Sequence, residues 1–181
     1  MDIQTSILIR TKNEARYLAK TLDLIRDQSI KPKEIIVVDS GSTDGTVEIV
    51  KQQPDIKLIQ ITPEQFTYGF SLNIGFKSAQ AEIVICLSAH AFPYDREWLY
   101  HLIKHFANPQ VAGVYGKQIP QPDAWPPVQR DILNCYGNQQ RIQFRAINSK
   151  DRFFSNANSA IRLRSEEHTS ELQSHSDLVC R

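Results

Sequence analysis

Short apolar runs alternate with amphipathic stretches along this chain. The clearest run is Ile35–Val38, which is rich in β-branched residues and is bounded by turn-forming segments. Such a run is typical of a strand buried on both faces, as in a parallel sheet. Similar runs predict further strands at 6–9, 56–61, 83–87 and 111–116, the third strand of the chain lying nearer an edge.

Helices are predicted between these strands. After Lys12, the spacing of Leu18, Leu22 and Ile25 places three apolar side chains on one helical face. Shorter patterns predict helices at 46–52, 71–79, 97–107 and 129–140. The alternation predicts an α/β fold, with a doubly wound, mostly parallel sheet and helices on both faces. A proline-rich loop is expected at 117–128, whereas the pattern at 153–161 is mixed.

Three polar loops follow three of the predicted strands, at 10–14, 39–44 and 88–92. Because the carboxyl ends of parallel strands meet at one edge of a sheet, we expect these loops to share a crevice. Arg10 and Lys12 are cations of the kind that bind phosphates. Asp39 and Ser40 suit hydrogen bonds to a base or a ribose, and His90 is a candidate metal ligand.

Each of these side chains also has a purely structural interpretation. Arg10 and Lys12 are equally consistent with solvated surface charges. Asp39 and the turn after it are equally consistent with a strand end and a helix cap. Taken alone, His90 is more typical of an ordinary loop histidine. The sequence contains neither GxGxxG nor GxxxxGK[ST], which excludes a dinucleotide-binding Rossmann domain and a P-loop enzyme.

Composition adds mainly exclusions. A hydrophobic content of 41% and a charged content of 23% are ordinary for a globular domain. The formal charge of +1 gives no reason to expect nucleic acid or a membrane surface as partner. We expect a cytoplasmic protein with no transmembrane segment, since no apolar run approaches the roughly 20 residues needed and no signal peptide is visible. Three widely spaced cysteines indicate reduced thiols.

Three motifs in order make the functional prediction specific. Asn13-Glu14 follows the first strand, VVDSGSTDGT includes the end of the second, and Phe66–Leu99 contains the third loop. These segments resemble the NE, VVDxGSxDGT and DxD regions of family 2 glycosyltransferases of the GT-A fold, and the rhamnosyltransferase-like members most closely. The resemblance covers residues 5 to about 163, so we expect one GT-A domain at 1–163 that is incomplete at its C-terminus.

The resemblance implies transfer of a sugar, with inversion, from a UDP- or dTDP-linked donor to a hydroxyl of a glycan or lipid-linked acceptor. This reaction would belong to polysaccharide synthesis, at the inner face of the membrane. A divalent cation, Mn²⁺ or Mg²⁺, would hold the donor diphosphate, and a carboxylate base would take the acceptor proton. Carried over position by position, the residues lining the nucleotide-sugar pocket would be Arg10, Lys12, Glu14, Asp39 and Ser40.

The chain departs from the family pattern at two positions. Ser88-Ala89-His90 replaces DxD and carries no carboxylate, with His90 at the position expected to touch the metal. Because histidine suits Mn²⁺ better than Mg²⁺, the choice of metal, and its use at all, stays open. Ser40 stands where many members carry a second aspartate, which leaves the nucleobase open as well.

The last segment, 164–181, has no helical or strand periodicity. Arg164–Ser174 and Leu178–Arg181 match the translation of a common short-read sequencing adapter. We therefore expect native sequence to end near Leu163, the general base to lie beyond it, and the fragment to be inactive. Two alternatives stay open: a non-catalytic nucleotide-binding module of the same fold, and a flavodoxin-like domain of unrelated function.

Overall fold

The computed structural model describes residues 3–122, 124–136 and 154–163. The strands in these residues are β1 (Thr5–Thr11), β2 (Glu34–Asp39), β3 (Ile56–Gln60), β4 (Ile83–Ser88), β5 (Gly113–Tyr115) and β6 (Asn158–Arg162). The helices there are α1 (Ala15–Arg26), α2 (Thr46–Lys51), α3 (Tyr68–Ser78), α4 (Trp98–Ile103) and α5 (Pro126–Tyr136). Two 3-10 turns complete the description, at Pro63–Gln65 and Lys104–Ala107.

All of these strands belong to one sheet, in the order β3-β2-β1-β4-β6-β5. The first four strands of the chain are mutually parallel, with β1 paired to β2 on one side and to β4 on the other. Strand β6 runs antiparallel to both of its neighbours, β4 and β5. The predicted α/β fold with a mostly parallel sheet is confirmed, and β3 lies at the predicted edge.

The core consists of two apolar layers, one on each face of the sheet. Ile7 and Ile9 of β1 pack on the face covered by α1 and α4, whereas Leu8 packs with Leu72 of α3 on the other face. These β1 side chains are at most 1% exposed. Because burying one such side chain contributes roughly 1.5–3 kcal/mol, the continuous apolar strands fix the sheet between its two helical layers.

Several element boundaries differ from those predicted, for local reasons. Helix α3 begins three residues early because the Thr67 hydroxyl accepts a hydrogen bond from the Phe70 N–H, at 3.0 Å. Helix α5 begins at Pro126, whose fixed φ suits a first helical position. The mixed segment at 153–161 supplies β6. Residues 137–140 of the predicted fifth helix, and the predicted non-native tail at 164–181, lie outside the described residues.

Gly75 allows α3 to approach β1 closely. A methyl group at Gly75 would overlap the terminal methyl groups of Leu8, which is 1% exposed and has little room to move. Overpacking of this kind costs about 1–3 kcal/mol, against about 1 kcal/mol gained in helix propensity. We expect Gly75→Ala to lower the free energy of unfolding by up to about 2 kcal/mol, as measured by urea denaturation.

The control is Lys77→Ala, which alters an exposed position of the same helix. It should change the free energy of unfolding by less than about 0.5 kcal/mol. A stabilised Gly75→Ala protein would contradict the close packing described for α3 and β1.

The two cysteines in the described residues differ in exposure, Cys86 being buried in β4 and Cys135 exposed on α5. Burial raises the pKa of the Cys86 thiol to about 12, and the thiolate is the reactive form. We expect iodoacetamide at pH 8 to modify Cys135 in the folded protein and Cys86 only in denaturant, as measured by peptide mass spectrometry. Equal labelling of the two cysteines under native conditions would contradict this arrangement.

Candidate functional site

The three polar loops lie side by side at the carboxyl edge of the sheet, as predicted. They follow β1, β2 and β4, which are neighbours in the sheet. The pairing register aligns Arg10 of β1 with Ser88 of β4, and Thr11 of β1 with Asp39 of β2. The carboxyl ends of these strands are therefore level, so the three loops meet at this edge of the sheet, and we call the space between them the crevice.

Asp39 lies beneath this crevice, and its side chain organises the second loop. One carboxylate oxygen, Oδ1, accepts hydrogen bonds from the backbone N–H groups of Gly41 and Ser42, both at 3.0 Å. The other oxygen, Oδ2, accepts from the hydroxyl of Thr11 at 3.0 Å and from that of Ser42. Asp39 is fully buried, and in this structure it shapes the loop from below.

The second loop caps the start of α1. Three successive backbone N–H groups, from the end of the first loop into α1, donate to side-chain oxygens of the second loop and of the first residue of α2: Asn13 to Ser42 Oγ at 2.8 Å, Glu14 to Thr46 Oγ1 at 2.8 Å, and Ala15 to Asp44 Oδ2 at 3.0 Å. We call these three hydrogen bonds the loop clasp. The first N–H groups of a helix have no partner within the helix, so the clasp satisfies them from a different loop.

Asn13 completes the connection in the opposite direction. Its Oδ1 accepts a hydrogen bond from the backbone N–H of Thr43 at 2.8 Å. Its φ angle of 57° lies in the left-handed region, which asparagine tolerates better than most residues. The residue turns the chain from β1 into α1 and ties the two loops together.

Glu14 and His90 join the first loop to the third. The Nδ1 atom of His90 lies 2.9 Å from Oε1 of Glu14. The His90 side chain is 61% exposed, whereas that of Glu14 is 19% exposed. Just before His90, the carbonyl oxygen of Ala89 accepts a hydrogen bond from the Thr21 hydroxyl at 2.6 Å. The backbone is therefore anchored where the imidazole emerges at the crevice.

The two cations differ in exposure, Arg10 being partly buried and Lys12 exposed. The guanidinium carbon of Arg10 lies 5.0 Å from the centre of the Tyr68 ring, a cation–π contact. Lys12 is exposed at the turn into α1. Ser40, by contrast, is 1% exposed, and its hydroxyl donates to the carbonyl oxygen of Thr11 at 3.1 Å. The predicted site residues thus form a buried layer, Asp39 and Ser40, below an accessible one.

The accessible layer offers a divalent cation one nitrogen ligand, His90. Among the described residues, no group of three or more histidine, cysteine, aspartate or glutamate side chains is placed to hold a metal ion. A cation at His90 would therefore need most of its ligands from a bound diphosphate and from water, as Mg²⁺ and Mn²⁺ sites on nucleotides commonly do. An imidazole in an oxygen-rich set of this kind suits Mn²⁺.

Several residues of this site were not singled out as functional in the sequence. Ser42, Thr46 and Asn13 form the clasp or extend it, and Tyr68 contacts Arg10. The sequence did contain a clue to the clasp. The NE and SGSTDGT segments each follow one of two neighbouring parallel strands, so they were expected to lie side by side. The contact of Tyr68 with Arg10 depends on the early start of α3, which the sequence pattern placed at Ser71.

The clasp makes a testable contribution to stability at low pH. The hydroxyl of Thr46, followed by the backbone N–H groups of Ala15 and Thr46, lowers the pKa of Asp44 below its usual 3.8 and outweighs the opposing effect of desolvation. A lowered pKa in the folded state stabilises the protein above pH 3.8, and this stabilisation is lost as the pH falls through the folded value. We expect wild type to exceed Asp44→Asn in unfolding free energy at pH 6, with the difference shrinking below about pH 4.

Urea denaturation of both proteins between pH 2.5 and 7 measures this difference. Asp23→Asn is the matched control, because it removes an exposed carboxylate of α1 that takes no part in the clasp. A difference between wild type and Asp44→Asn that stays constant over the whole range would contradict the proposed role of the carboxylate.

Known proteins resemble this chain in sequence. The chain is 29% identical to an O-antigen chain rhamnosyltransferase of Salmonella typhimurium over 98% of its own length and 58% of the relative's. It is also 29% identical to a poly-beta-1,6-N-acetyl-D-glucosamine synthase of Staphylococcus epidermidis, over 78% of this chain and 33% of that protein. The chain therefore spans about half or less of the length of these curated relatives.

A solved structure supports the fold independently. The mannosyltransferase of Pyrobaculum calidifontis, determined with GDP-mannose and Mn²⁺, superposes with a TM-score of 0.61 and 27% identity, over 88% of this chain and 44% of that one. This match confirms the predicted GT-A fold. The family model for glycosyl transferase family 2 matches residues 6–169, which is most of the chain. The chain is therefore a member of glycosyl transferase family 2.

Proposed function

We propose that this chain carries the donor-binding part of an inverting glycosyltransferase of the rhamnosyl or hexosyl type. It would take a sugar from a UDP- or dTDP-linked donor and transfer it to a hydroxyl of a glycan or lipid-linked acceptor. The main support is the crevice itself, in which the loop clasp holds the first two loops together while Glu14 and His90 join the first and third.

The charges at the crevice suit the leaving group of such a reaction. Transfer of the sugar leaves a nucleoside diphosphate, whose negative charge increases as the bond to the sugar breaks. Lys12 is an exposed cation, and Arg10 lies close by at the end of β1, so both can bind phosphate oxygens. When bound, a divalent cation would neutralise part of the same charge, and His90 is the residue that would hold it.

The remaining parts of the reaction are assigned by resemblance. We place the general base after Leu163, outside the described residues, and propose that the chain as given binds a donor without transferring its sugar. The whole protein would act in polysaccharide synthesis at the cytoplasmic face of the membrane. Within the described residues, no helix has both the length and the apolar character required to cross a bilayer.

A second candidate function is a non-catalytic nucleotide-binding module of the same fold. The observation that favours it is the Ser88-Ala89-His90 sequence, which offers no carboxylate to a metal ion. The two functions differ in their response to Mn²⁺. A catalytic domain should bind a nucleotide sugar more tightly with Mn²⁺ than without it, whereas a module that has lost its metal chemistry should show no difference.

Lys12 provides the test of the donor site. Lys12→Ala should weaken binding of the preferred donor among UDP-, dTDP- and GDP-linked sugars by about tenfold or more, as measured by isothermal titration calorimetry with Mn²⁺ present. The reason is the loss of a charge-assisted hydrogen bond, which is typically worth about 1.5–3 kcal/mol.

The matched control is Lys51→Ala, which removes an exposed lysine from the far end of α2. Its affinity for the donor should equal that of the wild type. Equal affinities for Lys12→Ala and wild type would remove Lys12 from the donor site. If none of the three donor classes binds the wild-type chain, the proposed function fails.

A further inference from the structure

The contact between Glu14 and His90 has a consequence beyond donor binding. A neutral imidazole carries one proton, on either Nδ1 or Nε2, and the nitrogen without the proton is the one that can accept a hydrogen bond or bind a metal. The hydrogen bond made by one ring nitrogen decides the chemistry of the other. The partner of Nδ1 in this structure is Oε1 of Glu14, 2.9 Å away.

An ionised carboxylate only accepts hydrogen bonds. Facing Glu14, the Nδ1 atom of a neutral His90 must therefore be the donor, which leaves Nε2 with a lone pair. The His90 side chain is 61% exposed, while Glu14 is 19% exposed and lies closer to the body of the protein. The ring is thus held from its inner nitrogen, and its outer nitrogen is available at the crevice.

Glu14 is itself well fixed. Its backbone N–H belongs to the loop clasp, donating to Thr46 at 2.8 Å, and its carbonyl oxygen accepts from Tyr17 and Leu18 in the first turn of α1. None of these contacts uses the side chain. The backbone from which the Glu14 carboxylate extends to the imidazole is therefore fixed. Removing that carboxylate leaves the clasp and the start of α1 in place.

We propose that Glu14 is a positioning residue, which holds neutral His90 as the Nδ1–H tautomer and presents Nε2 as the single protein nitrogen ligand for a divalent cation. The binding of a cation rests on the proposed function, whereas the tautomer of His90 does not. A carboxylate hydrogen-bonded to the far nitrogen of a metal-binding histidine is a common outer-shell arrangement, and its removal typically weakens metal binding by about 10–100-fold.

The tautomer is measured directly by long-range ¹H–¹⁵N correlation NMR of the full chain, at a pH where the ¹⁵N shifts show neutral rings. The His90 signals are assigned with His90→Gln. His101 serves as an internal reference of opposite type, since its Nδ1 lies 3.2 Å from Nζ of Lys104, a group that only donates. We expect Nδ1–H for His90 and Nε2–H for His101.

Glu14→Ala should lower the Nδ1–H fraction of His90 and leave His101 unchanged. The control is Glu97→Ala, which removes an exposed carboxylate that makes no side-chain cap on α4, and it should leave both rings as in the wild type. A wild-type His90 in the Nε2–H form, or an Nδ1–H fraction unaffected by Glu14→Ala, overturns the positioning role.

The second measurement uses Mn²⁺ with inorganic pyrophosphate as the probe. Paramagnetic broadening of the His90 ring protons should titrate in wild type and in Glu97→Ala, and Glu14→Ala should require about tenfold more Mn²⁺ or greater. Equal titrations of wild type and Glu14→Ala overturn the inference. If the ring is not broadened although nucleotide sugars bind in calorimetry, the metal role of His90 is wrong while the donor site stands.

Discussion

Three backbone N–H groups at the turn into α1 donate to side-chain oxygens of the second loop and of Thr46, the first residue of α2. This constraint determines much of the site. Because each such hydrogen bond contributes about 0.5–1.5 kcal/mol, the two loops do not separate cheaply. One of the acceptors, Ser42, is held in place by the buried carboxylate of Asp39, which accepts from its backbone N–H and its hydroxyl. The Asp39 carboxylate therefore supports this wall of the crevice.

Elements with a strong local pattern could be predicted from the sequence, whereas elements placed by distant partners could not. Continuous β-branched runs and turn residues identify β2, β4 and the helix α1, because burial on both faces and helical spacing leave strong periodic signals. The antiparallel strand β6 is different. Asn158–Arg162 has a mixed pattern, and it is placed by partners distant in sequence, such as Glu82, whose carboxylate pairs with Arg162. No local pattern contains that information.

The candidate site shows the same limit. The position of Asp39 at a strand end predicted its place in the crevice, but not that both of its oxygens would be engaged within the protein. Ser40 was predicted to line the nucleotide pocket; in the structure it is 1% exposed and its hydroxyl donates to the carbonyl oxygen of Thr11. Whether a side chain at a strand end points down into the loop or up to a ligand depends on neighbouring strands, which periodicity does not describe.

The division between a buried and an accessible layer separates stability from chemistry. Asp39 and Ser40 hold the loops, so substitutions there act on folding before they act on a ligand. Lys12 and His90 are exposed and support no core packing, so they can vary while the frame stays constant. A histidine at position 90, where the resemblance would place a carboxylate of DxD, then leaves the fold intact, since a functional site can vary on a shared scaffold. The third loop carries no carboxylate at Ser88-Ala89-His90, and Glu14 brings one to His90 from the turn between β1 and α1.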